Sequence, residues 1–293
     1  MDQRSTGRRR SGRRVGARRR VPARGRRVHD HARRCPAHLP ARSTSCAPAR
    51  SCAALSFDIG IDDSVIADAI DDLLELNELT DARLRFTVTR GAIDTESGQT
   101  VPTLLLTATK LEPYPAALYE RGMTASVIDR YRANPLDIQA GHKTLDYLSR
   151  FAALRNAQQR GASEALWFNV SNHLQSGSIS NVFLVKAGKL LTPPTNDDLA
   201  NDTIRTRTPY PRSNALPGIT RGAVLDAAKA ESIEAVVGPL TLDDLLNADE
   251  VFVTNSIMRV MPVVRIERRP VGDEKPGPIT RRLSLAVDAL ARN

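Results

Sequence analysis

The segment Ser176-Gly177-Ser178-Ile179-Ser180-Asn181-Val182-Phe183 passes from small polar residues straight into an apolar run. Small polar clusters mark turns, and Ile179 to Val185 is strand-like, so the segment by itself reads as a turn entering a hairpin. Ala187-Gly188 then turns the chain into the hairpin partner Lys189-Leu190-Leu191-Thr192. Upstream, Glu164 to Val170 is a second strand-like run. Before it the spacing predicts a helix over 144–160, with Leu145, Leu148, Phe151, Ala152 and Leu154 on one face and Gly161 as its stop. Downstream, residues 194–215 are polar and proline-rich and read as a loop. Leu216-Pro217-Gly218-Ile219-Thr220 opens a helix to about Glu231. A strand (Ala235 to Val237), a short helix (Leu242 to Asn247), a strand (Val251 to Val253) and a last helix (Ile279 to Ala291) follow.

Towards the N-terminus, Ser64 caps a helical pattern of Val65, Ile66, Ala69, Ile70, Leu73 and Leu74. Arg83 to Thr89 alternates and is closed by Gly91; Val101 to Thr109 is a second strand, and Met123 to Tyr131 a third. Pro135 to Gly141 reads as a linker. Helices and strands mix without regular βαβ alternation, which predicts an α+β fold of two lobes, residues 55–137 and 138–293.

The 293 residues carry a formal net charge of +9, but the charge is uneven. Residues 1–50 hold 16 Arg, no Lys and two acids, while the remainder is mildly acidic. Averaging would make this a basic nucleic-acid binder; the body of the chain argues against that partner. No run of 18 uncharged apolar residues exists, which excludes a membrane-spanning helix. Three cysteines, Cys35, Cys46 and Cys52, make no disulfide framework, so a cytoplasmic setting is expected. Residues 1–54 lack core-forming apolar residues and read as disordered. A nucleic-acid arm, a targeting peptide, a metal site using Cys35, His29, His31 and His38, and a start site or reading frame set wrongly all compete there. No CxxC or HxxxH spacing supports the metal, and none is expected elsewhere. Arginine without lysine, beside abundant Ala, Pro and Gly, favours the frame explanation.

Three further segments bear chemistry. Lys143 precedes the 144–160 helix; such a lysine is ordinarily a solvated surface residue, and otherwise a Schiff-base lysine activated by desolvation. Leu216 to Arg221 places free N–H groups and the Thr220 hydroxyl at a helix N-terminus, which serves equally as a turn with a cap or as an anion site. Ala248 to Ser256 is a strand ending in Thr254-Asn255-Ser256, followed by Met261-Pro262-Val263; its hydroxyls can be aimed at the same anion.

Lys143 to Leu148, Gly177 to Phe183, Leu216 to Arg221 and Asp249 to Ser256 with Pro262-Val263, in this order, resemble the class IV aminotransferase family. These are fold-type IV pyridoxal-phosphate enzymes and include branched-chain and D-amino-acid aminotransferases and aminodeoxychorismate lyase. The resemblance spans about residues 55–293. It implies two α/β lobes with pyridoxal 5'-phosphate between them, a homodimer, and an amino acid and a keto acid as substrates. It implies that Lys143 forms the Schiff base and shuttles the Cα proton. Gly218, Ile219 and Thr220 with Ser256 and Ile257 would hold the phosphate, Asn181 the strand facing the cofactor, and Tyr147 the ring oxygen.

Two departures stand out. The family's acid that pairs with the pyridine nitrogen is here Ser176, preceded by Gln175, which implies a weaker electron sink and favours elimination over transamination. The family's phosphate arginine falls within residues 1–54, which show no family pattern and leave the first lobe short. Ala92 to Ser97 lacks the Arg-x-His pair of D-amino-acid aminotransferases. A branched-chain-like aminotransferase is therefore the leading reading, a lyase the second, and an inactive member with a basic arm the third.

Overall fold

The computed structural model describes residues 51–205 and 212–290. The readings of the Arg-rich segment up to residue 50, of Cys35 and Cys46, of the phosphate arginine and of loop residues 206–211 lie outside the described residues. Residues 51–54, the end of the segment read as disordered, form a helical turn in which Ser51 and Cys52 are buried.

The architecture is α+β. Helix α1 (Asp63–Leu76) begins one residue before the expected cap, and Asp62 takes the N-cap position instead of Ser64. Ile66, Ile70, Leu73 and Leu74 form its half-buried stripe, at helical spacing. Strands β1 (Ala82–Thr89) and β2 (Thr103–Lys110) pair antiparallel, Phe86 opposite Leu106, as a two-stranded sheet. Gly91 follows with φ +82°, and a Cβ there would lie 1.7 Å from the Val101 carbonyl oxygen. Only glycine closes this turn.

Helix α2 (Ala116–Arg121) leads into β3 (Met123–Val127), shorter than the expected strand to Tyr131. β3 does not join β1 and β2. It pairs parallel with β4 (Glu164–Phe168) on one side and β10 (Arg259–Ile266) on the other. Between β3 and β4 lies α3 (Leu148–Gln159), which starts four residues later than the spacing predicts. The expected apolar face is also wrong in part: Leu145, Leu148 and Phe151 are exposed, while Ala153, Leu154 and Ala157 are buried. The helix packs Ala153 and Ala157 onto Trp167 and Ala165 of β4, and small residues are what such close approach requires.

The nine-stranded sheet runs β5-β4-β3-β10-β9-β6-β7-β8, with β11 (Arg269–Pro270) paired to β10. Its members are β5 (Leu174–Gly177), β6 (Asn181–Lys186), β7 (Lys189–Thr192), β8 (Ala235–Val237) and β9 (Glu250–Asn255). Both faces are covered, so β6 reads as one apolar run. Val182 and Leu184 enter a core with Val251, Val253 and Met261. Phe183 and Val185 enter another with helices α5 (Ile219–Ala230) and α7 (Pro278–Leu290). Phe183 and Phe252 stand opposite each other in the β6–β9 pairing and stack at 4.9 Å, which adds about 1 kcal/mol beyond area burial.

Three strands escaped the sequence reading, β5, β10 and the two-residue β11. β5 consists of Leu-Gln-Ser-Gly and is fully buried although half polar. β10 contains Pro262, which removes a ladder donor, and its pairing with β3 shifts register between Val263 and Arg265. In the loop read over 194–215, a 3-10 turn (Asp198–Ala200) and helix α4 (Asp202–Arg205) form, and Thr195 bridges to Ala215. Helix α6 (Leu242–Leu246) carries a capping box from Thr241 and Asp244.

Candidate active site

Lys143 lies in irregular chain, four residues ahead of Tyr147, which is the N-cap residue of α3. Its backbone N–H donates to Ser51 Oγ at 3.4 Å, and its ammonium sits 5.5 Å from the centroid of the Tyr147 ring. The Lys143 side chain is exposed. Beside it lies a cleft of about 230 Å³, lined by His142, Thr144, Tyr147, Arg150, Trp167 and Leu216 among others.

The segment 176–183 is held by a group that sequence reading took only as a strand residue. Glu164 is 0% exposed. Its carboxylate accepts from Ala165 N at 2.8 Å, Ser178 N at 2.9 Å and Ser180 Oγ at 2.7 Å. Burial pushes its pKa up, and these hydrogen bonds pull against that. Gly177 is required here, because a Cβ would fall 2.1 Å from Ser180 Oγ and 2.7 Å from the Glu164 carboxyl carbon. A charged residue opening an otherwise apolar strand was the available signal.

Ser176 is buried, and its hydroxyl accepts from Arg150 Nη1 at 3.1 Å. The same Nη1 donates to Gly177 O at 3.0 Å. Arg150 stacks over Trp167, whose Nε1 donates to Ser178 Oγ at 2.9 Å. Sequence reading missed Arg150, since an arginine in the first turn of a helix gives no sign of being buried.

A candidate anion-binding half is built where β6 and β9 meet the entrance of α5. Asn181 Nδ2 donates to Leu216 O at 2.8 Å, tying β6 to the entrance of α5, and a Cβ on Gly218 would lie 2.1 Å from Asn181 Oδ1. Gly218 is the N-cap, so the N–H groups of Ile219 and Thr220 have no partner inside the helix. Thr254, opposite Asn181 in the β6–β9 register, is next to this end. Thr220 Oγ1 and Thr254 Oγ1 are both buried and without a hydrogen-bond partner. Two orphaned hydroxyls beside a helix N-terminus fit an anionic oxygen donor group such as a phosphate. Ser256 is exposed at the end of β9. The N–H of Ile257, expected to join the cup, instead donates to Asn255 Oδ1 at 2.9 Å and is thereby occupied.

Arg221 Nη2 is committed elsewhere, while its Nε is buried without a partner. Its Nη2 donates to Asp198 Oδ2 at 2.8 Å and to Pro193 O at 3.1 Å, which ties α5 to the 193–198 chain. Burial lowers its pKa and Asp198 raises it again. The 212–216 chain is fixed beside Lys143: Asn214 N donates to Gln175 Oε1 at 3.0 Å, and Asn196 links Ser213 to Ala140.

Residues 49–266 match the family model for amino-transferase class IV. A putative branched-chain-amino-acid aminotransferase of Methanocaldococcus jannaschii is 33% identical over 239 residues, covering 80% of this chain and 75% of that protein. The branched-chain-amino-acid aminotransferase of Escherichia coli K12 is 30% identical, covering 77% of this chain and 69% of that protein. A crystal structure of the Escherichia coli branched-chain enzyme superposes with TM-score 0.75 at 27% identity, over 86% of this chain and 79% of that one.

Proposed function

Since this chain belongs to the class IV aminotransferase family and is a transferase-type enzyme, we propose that it uses pyridoxal 5'-phosphate, held through Lys143, to move an amino group from a branched-chain-like amino acid to a keto acid. The observation that carries the reading is the pair of buried, unpartnered hydroxyls of Thr220 and Thr254 at the entrance of α5. A buried hydroxyl without a partner costs about 1–3 kcal/mol, and a bound phosphate removes that cost.

When bound, the cofactor supplies an aldehyde for an amine and a ring that takes up electrons. The residues do the rest. Lys143 would hold the cofactor's aldehyde carbon through its side-chain nitrogen and would carry the proton at the substrate Cα. Ile219 and Thr220 offer N–H donors, and Thr220, Thr254 and Ser256 hydroxyls, to the phosphate, helped by the positive end of the α5 dipole. Gly218 lets the helix entrance approach Asn181. Tyr147, whose ring centroid lies 5.5 Å from the Lys143 ammonium, would meet the cofactor's ring oxygen in this reading. The two lobes of this reading are residues 55–137 and 138–293, with β3 of the first range paired inside the sheet of the second.

Five exposed apolar residues surround this stretch, among them Leu136 at 72% and Leu148 at 81% exposure. A patch of this kind marks an interface, and a homodimer in which a second copy covers Lys143 follows from the reading. Among the described residues no helix is long and apolar enough to cross a membrane, and Cys52 is a free thiol. A cytoplasmic setting is our proposal, in keeping with the free Cys52 thiol.

Borohydride reduction of the pyridoxal-phosphate-loaded chain, followed by peptide mass spectrometry, is expected to place the adduct on Lys143. An adduct elsewhere, or none, overturns the reading. Ser176 favours a second reading, a lyase on the same scaffold. Pyruvate released without an amino acceptor selects the lyase, and strict dependence on a keto acid selects the aminotransferase.

A further inference from the structure

Arg150 is a cation in an unusual place. It reaches from α3 to the β5 strand end, stacks on Trp167, and spends Nη1 on Ser176 Oγ, Gly177 O and, at 3.5 Å, Ser178 O. No carboxylate among the described residues pairs with it, whereas buried Arg221 has Asp198. Tyr147 and Glu164 are the groups whose charge it senses, and Glu164 is already committed to the 177–180 turn. Its Nε and Nη2 bond to no other described residue, and it lines the same cleft as His142, Thr144 and Tyr147 around Lys143.

The direction of the Arg150–Ser176 bond is fixed by chemistry. A guanidinium only donates, so Ser176 Oγ is the acceptor there, and its own proton is left to donate elsewhere. In a pyridoxal ring the nitrogen lies para to the aldehyde carbon, so it points away from the lysine that holds the aldehyde. A hydroxyl proton matches the lone pair of a neutral ring nitrogen. A pyridinium N–H would instead stand beside a half-buried guanidinium that hydrogen bonds, and not a carboxylate, hold in place.

We propose that the Arg150–Ser176 pair faces the ring nitrogen of the cofactor and keeps it unprotonated, Arg150 acting through the Ser176 hydroxyl as a positioning residue. This rests on the reading of Lys143 as the cofactor lysine. A nearby like charge lowers a nitrogen's pKa by about 1–3 units, which holds the ring neutral at physiological pH. The site then runs with a weak electron sink, so the proton movements at Lys143 carry more of the barrier.

The test uses the full chain loaded with pyridoxal phosphate carrying 15N at the ring nitrogen, read by NMR. Wild type is expected at the neutral-pyridine position across neutral pH. Ser176→Glu, which keeps Arg150, is expected to move the signal to the pyridinium position. Arg150→Met is expected to raise the nitrogen's pKa by about 1–3 units, and Arg150→Lys to retain the neutral signal. Near-ultraviolet dichroism establishes that each variant is folded; should Arg150→Met not fold, Ser176→Glu alone decides. A pyridinium signal in wild type overturns the inference while a Lys143 adduct leaves the cofactor reading intact. Absence of the adduct brings down both. An unmoved signal in Arg150→Met with a raised KM for the keto acid also overturns it, and reassigns Arg150 to the substrate carboxylate.

Discussion

The two halves of the candidate site are built in opposite ways. The anion cup sits on the covered sheet: Thr254 is 0% and Thr220 2% exposed, and Asn181 straps β6 to α5. Lys143 stands exposed in irregular chain, with Leu145 and Leu148 exposed nearby. In the proposed reading the cup is prepared by the single chain, and the lysine end would depend on a second copy that covers it. A rigid cup costs little ordering entropy when it binds, and an exposed lysine keeps an ordinary environment until the site is closed.

The widest separation of the halves is expected from Lys143→Ala. Amino-group transfer should fall by about 100- to 10,000-fold, the usual worth of a lost acid–base group. Thermal stability should stay within about 0.5 kcal/mol, as for other surface substitutions. Activity assays beside melting curves measure both, and a large loss of stability would break the contrast. Phe252→Ala attacks the other half. Removing a fully buried aromatic ring from its stack should cost about 3–5 kcal/mol, whereas Leu148→Ala should leave the monomer within about 0.5 kcal/mol. Equal costs in urea titrations would mean the exposed patch is packed after all.

Thr220→Val sharpens the comparison at the cup itself. Loss of a hydrogen bond to a charged phosphate should weaken cofactor binding by roughly 10- to 100-fold. The ligand-free protein should be unharmed, since the hydroxyl has no partner to lose. Equilibrium dialysis with pyridoxal phosphate and a melting curve on the ligand-free form separate the two effects.

The smallest effect is a matter of pH. Burial raises the Glu164 pKa in the folded chain above its unfolded value. The folded state therefore holds this proton more tightly, and stability falls as pH rises from the unfolded value through the folded one. Glu164→Gln should flatten that decline, seen as a wild-type-minus-variant stability difference that shrinks towards neutral pH. A difference that grows with pH would show that the hydrogen bonds outweigh burial.

Much of this site was legible beforehand because its signals are local. Lys143 before a helix, Gly218-Ile219-Thr220 at a helix entrance, and the strand of Val182 and Phe183 are each read from a few neighbouring residues. The helix at 144–160 was read too long because Leu145 and Leu148 have the right spacing, yet spacing says nothing of what lies opposite, and here nothing covers them. β10 was missed because Pro262 argues against a strand, and the proline is accommodated by its neighbours β9 and β3. Ile257 was expected to donate to the phosphate, and a side chain two residues away took its N–H.

The sequence by itself determined most of the helices and strands (though not β5, β10 or β11), the glycines their turns need, and the order of motifs that marks the family. The tertiary structure decided that β3 lies between β4 and β10, that Thr254 stands opposite the Asn181 that ties β6 to the entrance of α5, and that Arg150 reaches Ser176. Periodicity and capping act within a few residues along the chain, whereas these contacts join residues 26 or more positions apart. They exist only once the sheet has closed and burial has selected which polar groups are paired and which are left waiting for a ligand.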